Sequence, residues 1–228
     1  MIIALWAAAP RCTRRLTPPF PSCDAPSDAK IKIANSMATG GVETEVKIRI
    51  PDLAQVRERV EASGFTLRAS RQFESNTLYD TADHSLRRAG IVLRLRQSGE
   101  KSVITWKGPG ESGPFKTRPE RETSIGSLET MQQILGQLGF APVFRYEKFR
   151  AEFVEPGHPE AGTLTLDETP IGSFLELEGA GPWIDDKARQ LGFSRADYVL
   201  DSYAKLYLDD CRRRGVEPSH MIFARHRP

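Results

Sequence analysis

Charged and apolar residues alternate along the first regular segment of the chain, "GVETEVKIRIPD" at residues 41–52. One side of the alternation carries Glu43, Glu45, Lys47 and Arg49, and the positions between them are mostly apolar. A period of two predicts a β-strand. The unusual feature is the polar face of this strand, which holds two acids followed by two bases.

The same arrangement recurs in later segments that are rich in β-branched and aromatic residues. Most of these have one apolar face and one face with one or two charges. In "TRPERETSI" the alternation places Glu120 and Glu122 on one face and Arg121 on the other. The predicted strands are residues 76–81, 90–97, 101–108, 117–125, 143–154, 162–170 and 172–179, and their charged faces carry Arg94 and Arg96, Lys107, Lys148 and Arg150, Asp167, and Glu176 and Glu178.

Three amphipathic segments predict helices, at residues 52–63, 127–138 and 197–213. Asp52 and Ser127 stand at N-cap positions, Gly64 stands where the first helix should end, and Ser194 with Asp197 forms a capping box before the third. A sheet must bury its apolar face, and helices outside the sheet would do so. We therefore expect an α+β fold in which the strands close into a barrel with a charged interior and the helices pack on the outside.

Composition narrows the possible functions. The 228 residues carry a net charge of only +2, so the whole chain is not expected to bind nucleic acid. No apolar run approaches the roughly 18 residues of a membrane span, and we expect no membrane partner. Cys12, Cys23 and Cys211 show no CxxC spacing, so a reducing, cytoplasmic setting is expected.

The chain divides into an irregular start and one patterned region. Residues 1–36 have no sustained period, and we expect a disordered extension or a wrongly assigned start, with Met37 as the first residue of the domain. Residues 37–214 are expected to form a single domain, and residues 215–228 a disordered tail.

An interior lined with both signs of charge indicates a site for a phosphate polyanion together with a divalent metal. Arg and Lys bind phosphate through charge-assisted hydrogen bonds. Carboxylates would repel such an anion unless they hold Mg²⁺ or Mn²⁺. A single ExE or RxR pair is more often a solvated strand face, and cross-strand ion pairs explain one or two of them. The repetition over separate strands favours the metal–polyphosphate interpretation.

The ordered set of motifs resembles the CYTH family, also called triphosphate tunnel metalloenzymes, which is named for class IV adenylate cyclase and thiamine triphosphatase. The ExExK signature of that family stands at Glu43-Thr-Glu45-Val-Lys47. Further family elements follow in order as "NTLYDT", "LRLR", "TWKGP", "RPERE", "EKFR", "LD" and "FLELE". The resemblance spans roughly residues 42–207. ExExK alone is a weak signal, whereas the whole ordered set is specific.

The resemblance implies an eight-stranded antiparallel tunnel that holds a triphosphate along its axis, with Mg²⁺ or Mn²⁺ as cofactor. It implies metal ligands at Glu43, Glu45, Glu122, Asp167, Glu176 and Glu178. It implies phosphate-binding residues at Lys47, Arg94, Arg96, Lys107, Arg121, Lys148 and Arg150. Catalytic roles are expected for Glu43, Glu45, Lys47 and Asp167, while the orientations of Arg118, Arg121, His84 and Lys205 stay open.

Three functions stay open. We expect a metal-dependent triphosphatase acting on an inorganic or organic triphosphate, because no base-binding motif is found. The close alternative is a class IV adenylate cyclase that converts ATP to cAMP and pyrophosphate. A non-catalytic polyphosphate-binding module is the alternative from another class, but it has no need of paired acids. The chain is expected to act as a monomer or homodimer.

Overall fold

The computed structural model describes residues 41–224. Within these residues the chain forms nine β-strands, five α-helices and one 3₁₀ turn. The strands are β1 (Gly41–Ile50), β2 (Thr66–Asp80), β3 (Val92–Ser98), β4 (Lys101–Lys107), β5 (Lys116–Ile125), β6 (Ala141–Val154), β7 (Gly162–Thr169), β8 (Gly172–Gly179) and β9 (Tyr198–Val199). The helices are α1 (Leu53–Ala62), α2 (Ser85–Arg88), α3 (Leu128–Gln137), α4 (Gly181–Gln190) and α5 (Tyr203–Arg214), and the 3₁₀ turn is Arg195–Asp197.

Eight of the strands form a closed antiparallel barrel, as the alternation and the family resemblance predicted. Their order is β5-β4-β3-β2-β6-β7-β8-β1, and β1 pairs back to β5. The first half of β1 closes the barrel, with Glu43 opposite Arg118 on β5. The second half pairs on that same edge with the short strand β9, where Lys47 lies opposite Val199. Closure leaves no long unpaired edge around the barrel.

Apolar side chains on the outer faces of the strands are covered by α1, α3 and α4. Val56 and Val60 of α1 and Ile184 of α4 are buried against the outer residues of β1, β6, β7 and β8. Leu135 of α3 is buried in a second cluster, against β2 and β3. Each such buried aliphatic side chain contributes about 1.5–3 kcal/mol to the free energy of unfolding. The helices expected at residues 52–63 and 127–138 are thereby confirmed.

The prediction of a third helix at residues 197–213 is wrong at the N-terminal end of that helix. The capping box of Ser194 and Asp197 is present, but it opens the 3₁₀ turn rather than a long helix. The chain then pairs with β1 as β9 before α5 begins at Tyr203. The reason is a long-range strand pairing, which local periodicity cannot reveal.

Helix α5 lies at one end of the barrel. It packs against apolar residues that share a face with the inward charges of their strands, namely Leu78 on β2, Phe144 on β6 and Phe174 on β8. None of the described helices is long and apolar enough to cross a membrane.

The segment after α5 differs from the expected disordered tail. Met221 is fully buried, its amide donates to the carbonyl of Arg145, and its carbonyl accepts from the amide of Glu147. Met221 therefore forms a short parallel pairing with Tyr146 at the free edge of β6. The expectations for residues 1–36 and 225–228 lie outside the described residues.

Candidate active site

A cavity of about 470 Å³ occupies the interior of the barrel. Its wall carries nine cationic and seven carboxylate side chains, so the two signs nearly balance. The cations are Lys47, Arg68, Arg94, Arg96, Lys107, Lys116, Arg118, Lys148 and Arg150, and the carboxylates are Glu43, Glu45, Glu120, Glu122, Glu152, Glu176 and Glu178.

The alternation on β1 turns its signature residues into the cavity. Glu43, Glu45 and Lys47 are only 8%, 7% and 3% exposed, while Val46 and Ile48 between and beyond them lie in the outer core. Burial on both faces fixes the register of β1, because a slip of one residue would exchange the charged and apolar sets.

The first two acids are held by cations. Lys107 Nζ lies 2.6 Å from a carboxylate oxygen of Glu43, and Arg118 Nε lies 3.6 Å from the other oxygen. Burial and the charge of Glu45 act to raise the pKa of Glu43, yet Lys107 and Arg118 outweigh them and lower it. The carboxylate of Glu43 is therefore the stable form in the folded protein.

Glu45 shows the same competition more strongly. Burial acts to raise its pKa, but the charges of Lys47 and Lys116 hold the pKa of Glu45 well below its ordinary value. Lys47 Nζ lies 3.1 Å from Glu45 and 3.4 Å from Glu176 on β8. Around Glu45 the lining thus forms ion pairs between carboxylates and lysines.

Glu178 behaves differently from Glu43 and Glu45. It lies opposite Glu45 in the register of β1 and β8, and it keeps solvent access through the cavity. Even so, partial desolvation by the barrel wall, and then the charges of Glu43 and Glu45, raise the pKa of Glu178 to about 7. This position holds excess negative potential that no cation offsets fully.

The arginines of β3 face inward as expected. Arg94 Nη2 donates to Thr105 at 3.1 Å and to Glu122 at 3.4 Å, and Arg96 Nη2 donates to Glu122 at 2.9 Å. Arg94 Nη1 also donates to the Tyr146 hydroxyl at 3.3 Å. Glu122 therefore points inward, as expected, and serves in this structure as the partner of both arginines.

Asp167 occupies a different place from the one expected for a metal ligand. It is fully buried beneath the cavity wall, and its carboxylate accepts hydrogen bonds from Lys148, Arg150 and Tyr203. Those donors separate Asp167 from the cavity. The physical reason is the seating of Tyr203, which comes from α5 and is 36 residues distant along the chain.

Arg121 does not reach the cavity, so the prediction that it lies among the phosphate-binding residues is wrong. It is exposed on the outer face of β5, where Nη1 donates to the carbonyl of Glu120 at 2.8 Å. The period of two explains this, since Glu120 and Glu122 point inward. His84 and Lys205 are also exposed, and Lys205 pairs with Asp209 on the surface of α5.

Several cavity residues were missed or left open. Lys116 and Arg118 share the inward face of β5 with Glu120 and Glu122, and extending the period of two backwards from Glu120 would have found both. Glu74 on β2 is buried beside Lys148 and Arg96, with its pKa lowered to about 2 although burial acts to raise it. Tyr203 follows no strand pattern, and although it lies in "DSYAKL" near the end of the family resemblance, that motif does not tell where its side chain points.

Metal binding can be tested against the donor chemistry of the cavity. Carboxylate oxygens are the ligands that Mg²⁺ and Mn²⁺ prefer, and Glu43, Glu45, Glu176 and Glu178 all line the same space. Among residues 41–224, however, no three acidic, His or Cys side chains already converge as a metal site. The donor types fit a divalent cation, and the carboxylates would have to exchange lysine and arginine partners to hold one.

Comparison with known proteins places the barrel in a family. A family model for the CYTH domain matches residues 41–203. A Methanocaldococcus jannaschii protein that carries the name "Putative adenylate cyclase" is 32% identical over 176 residues, which are 72% of this chain and 98% of the relative.

Solved structures share the same fold. A Vibrio parahaemolyticus protein described as a "putative adenylate cyclase" superposes with a TM-score of 0.65 at 23% identity, covering 73% of this chain and 98% of its own. A Hippeastrum protein described as a "putative adenylyl cyclase" with a dominant triphosphatase activity gives a TM-score of 0.53 at 17% identity, covering 78% and 97%. The CYTH-domain match over residues 41–203, with the Methanocaldococcus jannaschii relative, shows that the chain belongs to the CYTH family.

Proposed function

We propose that this protein is a divalent-metal-dependent enzyme that hydrolyses a triphosphate held in the barrel cavity. The observation that carries the proposal is the near balance of nine cations and seven carboxylates around one space of about 470 Å³. A phosphate chain alone would satisfy the cations but face the carboxylates, and a metal alone would do the reverse. A triphosphate bound with divalent metal brings both partners.

The cations of the cavity would bind and orient the phosphate chain. Arg94 and Arg96 present guanidinium groups from one strand, and Lys47, Lys107 and Lys148 approach from three others. Charge-assisted hydrogen bonds from these groups hold phosphate oxygens and stabilise the charge that develops during phosphoryl transfer. Because the site is partly closed to water, these interactions are stronger than they would be on a surface.

The carboxylates Glu43, Glu45, Glu176 and Glu178 would hold the metal. When bound, a divalent cation would neutralise phosphate charge and act as a Lewis acid toward the reacting phosphorus. Glu178 supports this role, because a carboxyl whose pKa is raised to about 7 by desolvation, and then by neighbouring acids, gains most from a nearby cation.

Cyclisation of ATP to cAMP and pyrophosphate is the second candidate. The name of the Methanocaldococcus jannaschii relative favours it, whereas the activity described for the Hippeastrum protein favours hydrolysis. The charged lining serves both reactions, since each one needs the same phosphate chain to be bound and neutralised.

Product analysis distinguishes the two reactions. The purified protein is incubated with inorganic triphosphate or with ATP, in Mg²⁺ or Mn²⁺, and with EDTA as the control. Hydrolysis releases orthophosphate, and cyclisation releases cAMP with pyrophosphate. Glu43→Gln and Glu45→Gln should abolish either activity without unfolding the barrel. Binding without metal and without turnover of any triphosphate would instead identify a polyphosphate-binding module.

A further inference from the structure

Tyr203 is the first residue of α5, and its side chain enters the cavity wall. Ser202 caps the helix, and its side chain accepts from the amide of Lys205, which fixes where the helix begins. The Tyr203 ring is 6% exposed and packs edge-on against Phe174, with ring centroids 5.3 Å apart. The same ring lies 5.4 Å from Lys47 Nζ and 5.4 Å from Lys148 Nζ. One aromatic ring therefore lies beside two cations of the cavity.

The hydroxyl of Tyr203 adds a polar contact. It donates to Asp167 Oδ2 at 2.8 Å. Asp167 also accepts from Lys148 Nζ at 2.9 Å, from Arg150 Nε at 2.7 Å and from Arg150 Nη2 at 2.6 Å. Oδ2 accepts three of these four hydrogen bonds and Oδ1 accepts one. Asp167 is fully buried and does not line the cavity, so a metal in the cavity would have to displace Lys148 or Arg150 to reach it.

We propose that Asp167 and Tyr203 are positioning residues that hold Lys148 and Arg150 in the orientation that binds phosphate. This inference rests on the proposed function, and it replaces the metal-ligand role expected for Asp167. Lys148 and Arg150 line the cavity, whereas Asp167 lies behind them. A carboxylate that fixes cations from behind acts on phosphate only through those cations.

Packing alone does not require the hydroxyl of Tyr203. The ring contacts with Phe174, Lys47 and Lys148 would be kept by a phenylalanine. A buried hydroxyl needs a partner, and this one is directed at the carboxylate that both cations share. Burial and the charge of Asp167 raise the pKa of Tyr203 well above its ordinary value, so the hydroxyl remains a donor. Because Tyr203 opens α5, the seating of that helix also fixes the two cations.

The test compares two tyrosines of the same helix. Tyr207 also belongs to α5 and packs on Phe144, but its hydroxyl contacts Ser219 away from the cavity. Tyr203→Phe and Tyr207→Phe are therefore matched substitutions. Calorimetry with inorganic triphosphate, in EDTA and in Mg²⁺, measures Kd, and thermal unfolding measures Tm.

Tyr203→Phe should weaken triphosphate binding about tenfold. Tyr207→Phe should bind triphosphate like the wild type. The Tm values of the two variants should agree within a few degrees. In a Lys148→Met background most of this loss should disappear, because the oriented cation is already gone. If Tyr203 had only a structural role, Tyr203→Phe would lower Tm, and its effect on binding would be the same with and without Lys148→Met.

Asp167→Asn separates positioning from metal ligation. Positioning predicts weaker triphosphate binding in EDTA as well as in Mg²⁺, whereas a metal ligand would change binding only in Mg²⁺. The inference is overturned if Tyr203→Phe binds triphosphate within about twofold of the wild type, or if the loss in Asp167→Asn needs metal. A wild type that binds no triphosphate under either condition overturns the proposed function itself.

Discussion

At the scale of single residues, the two acids that face each other across β1 and β8 behave in opposite ways. Glu45 is held by Lys47 and Lys116, and its pKa is well below the ordinary value. Glu178 lies opposite it, and its pKa is raised to about 7. One carboxylate is stabilised by folding and the other is destabilised, although both face the same cavity.

This difference predicts an effect of pH on stability. Because the folded state favours protonated Glu178, its contribution to the free energy of unfolding is present below the ordinary pKa of 4.5 and is lost as pH rises through about 7. Glu178→Gln should therefore have a higher Tm than the wild type at pH 8 and the same Tm near pH 4. Melting curves across pH 4–8 measure the difference, and a variant that tracks the wild type at every pH would refute the assignment.

Arg96 provides a residue-level test of the phosphate site. Its side chain is about 20% exposed and its guanidinium contacts Glu122, so it can reach a ligand in the cavity. Arg96→Ala should lower kcat/KM for triphosphate about 100-fold. Arg96→Lys should recover only part, since lysine keeps the charge but loses the planar fork. Arg121→Ala, on the outer face of β5 in the same barrel, is the matched control and should leave kcat/KM unchanged.

At the scale of elements, much of the barrel was predictable from local chemistry. Helices α1 and α3 each end in a Gly-Phe pair, in which Gly64 and Gly139 have φ values of 88° and 87°. Few other residues tolerate that conformation, so the helix ends could be read directly from the sequence. Strand alternation likewise placed Glu43, Arg94 and Glu176 on inward faces.

The remaining features depend on contacts between distant segments. Tyr198 and Val199 pair with β1, although the local pattern continues as a helix through them. Asp167 shares an inward face with other charges, but Tyr203 covers it from another element. The prediction that Arg121 binds phosphate failed for another reason. It followed the family motif, although the alternation already placed Arg121 on the face of β5 that Glu122 does not share.

The segment after α5 gives a prediction at this scale. Met221 is fully buried and pairs with β6, whereas its neighbour Ile222 is 41% exposed. Met221→Ala should lower the free energy of unfolding by about 2–5 kcal/mol, and Ile222→Ala should lower it far less. Urea unfolding of both variants measures this. Equal stabilities would mean that residues 215–224 do not pack as described.

At the scale of the whole molecule, the ion pairs of the cavity link the two proposed ligands. Cations proposed for phosphate currently hold carboxylates proposed for metal, as Lys107 holds Glu43 and Lys47 holds Glu45 and Glu176. Each ligand must displace these pairs, and each one frees the partner that the other needs. Triphosphate and metal should therefore bind cooperatively.

Lys107→Met tests this linkage, because it should change the affinities for metal and for triphosphate in opposite directions. Removing the cation that contacts Glu43 and Glu120 should strengthen binding of Mn²⁺ alone and weaken binding of triphosphate alone. Calorimetry with each ligand separately measures both affinities. Lys205→Met, which removes a surface ion pair with Asp209, is the control and should change neither. If both affinities fall together in Lys107→Met, the two ligands do not bind by displacing these ion pairs.

We propose that the charged cavity binds a metal–triphosphate complex, and thermal unfolding of the wild-type protein provides the simplest test. At a ligand concentration about 100 times Kd, binding should add about 2.7 kcal/mol of stability, which is a rise in Tm of roughly 5–10 °C. The rise should be largest with triphosphate and Mg²⁺ together, smaller with either alone, and much reduced in Arg94→Ala and Arg96→Ala. A wild-type Tm that Mg²⁺ and triphosphate together leave unmoved would contradict the account.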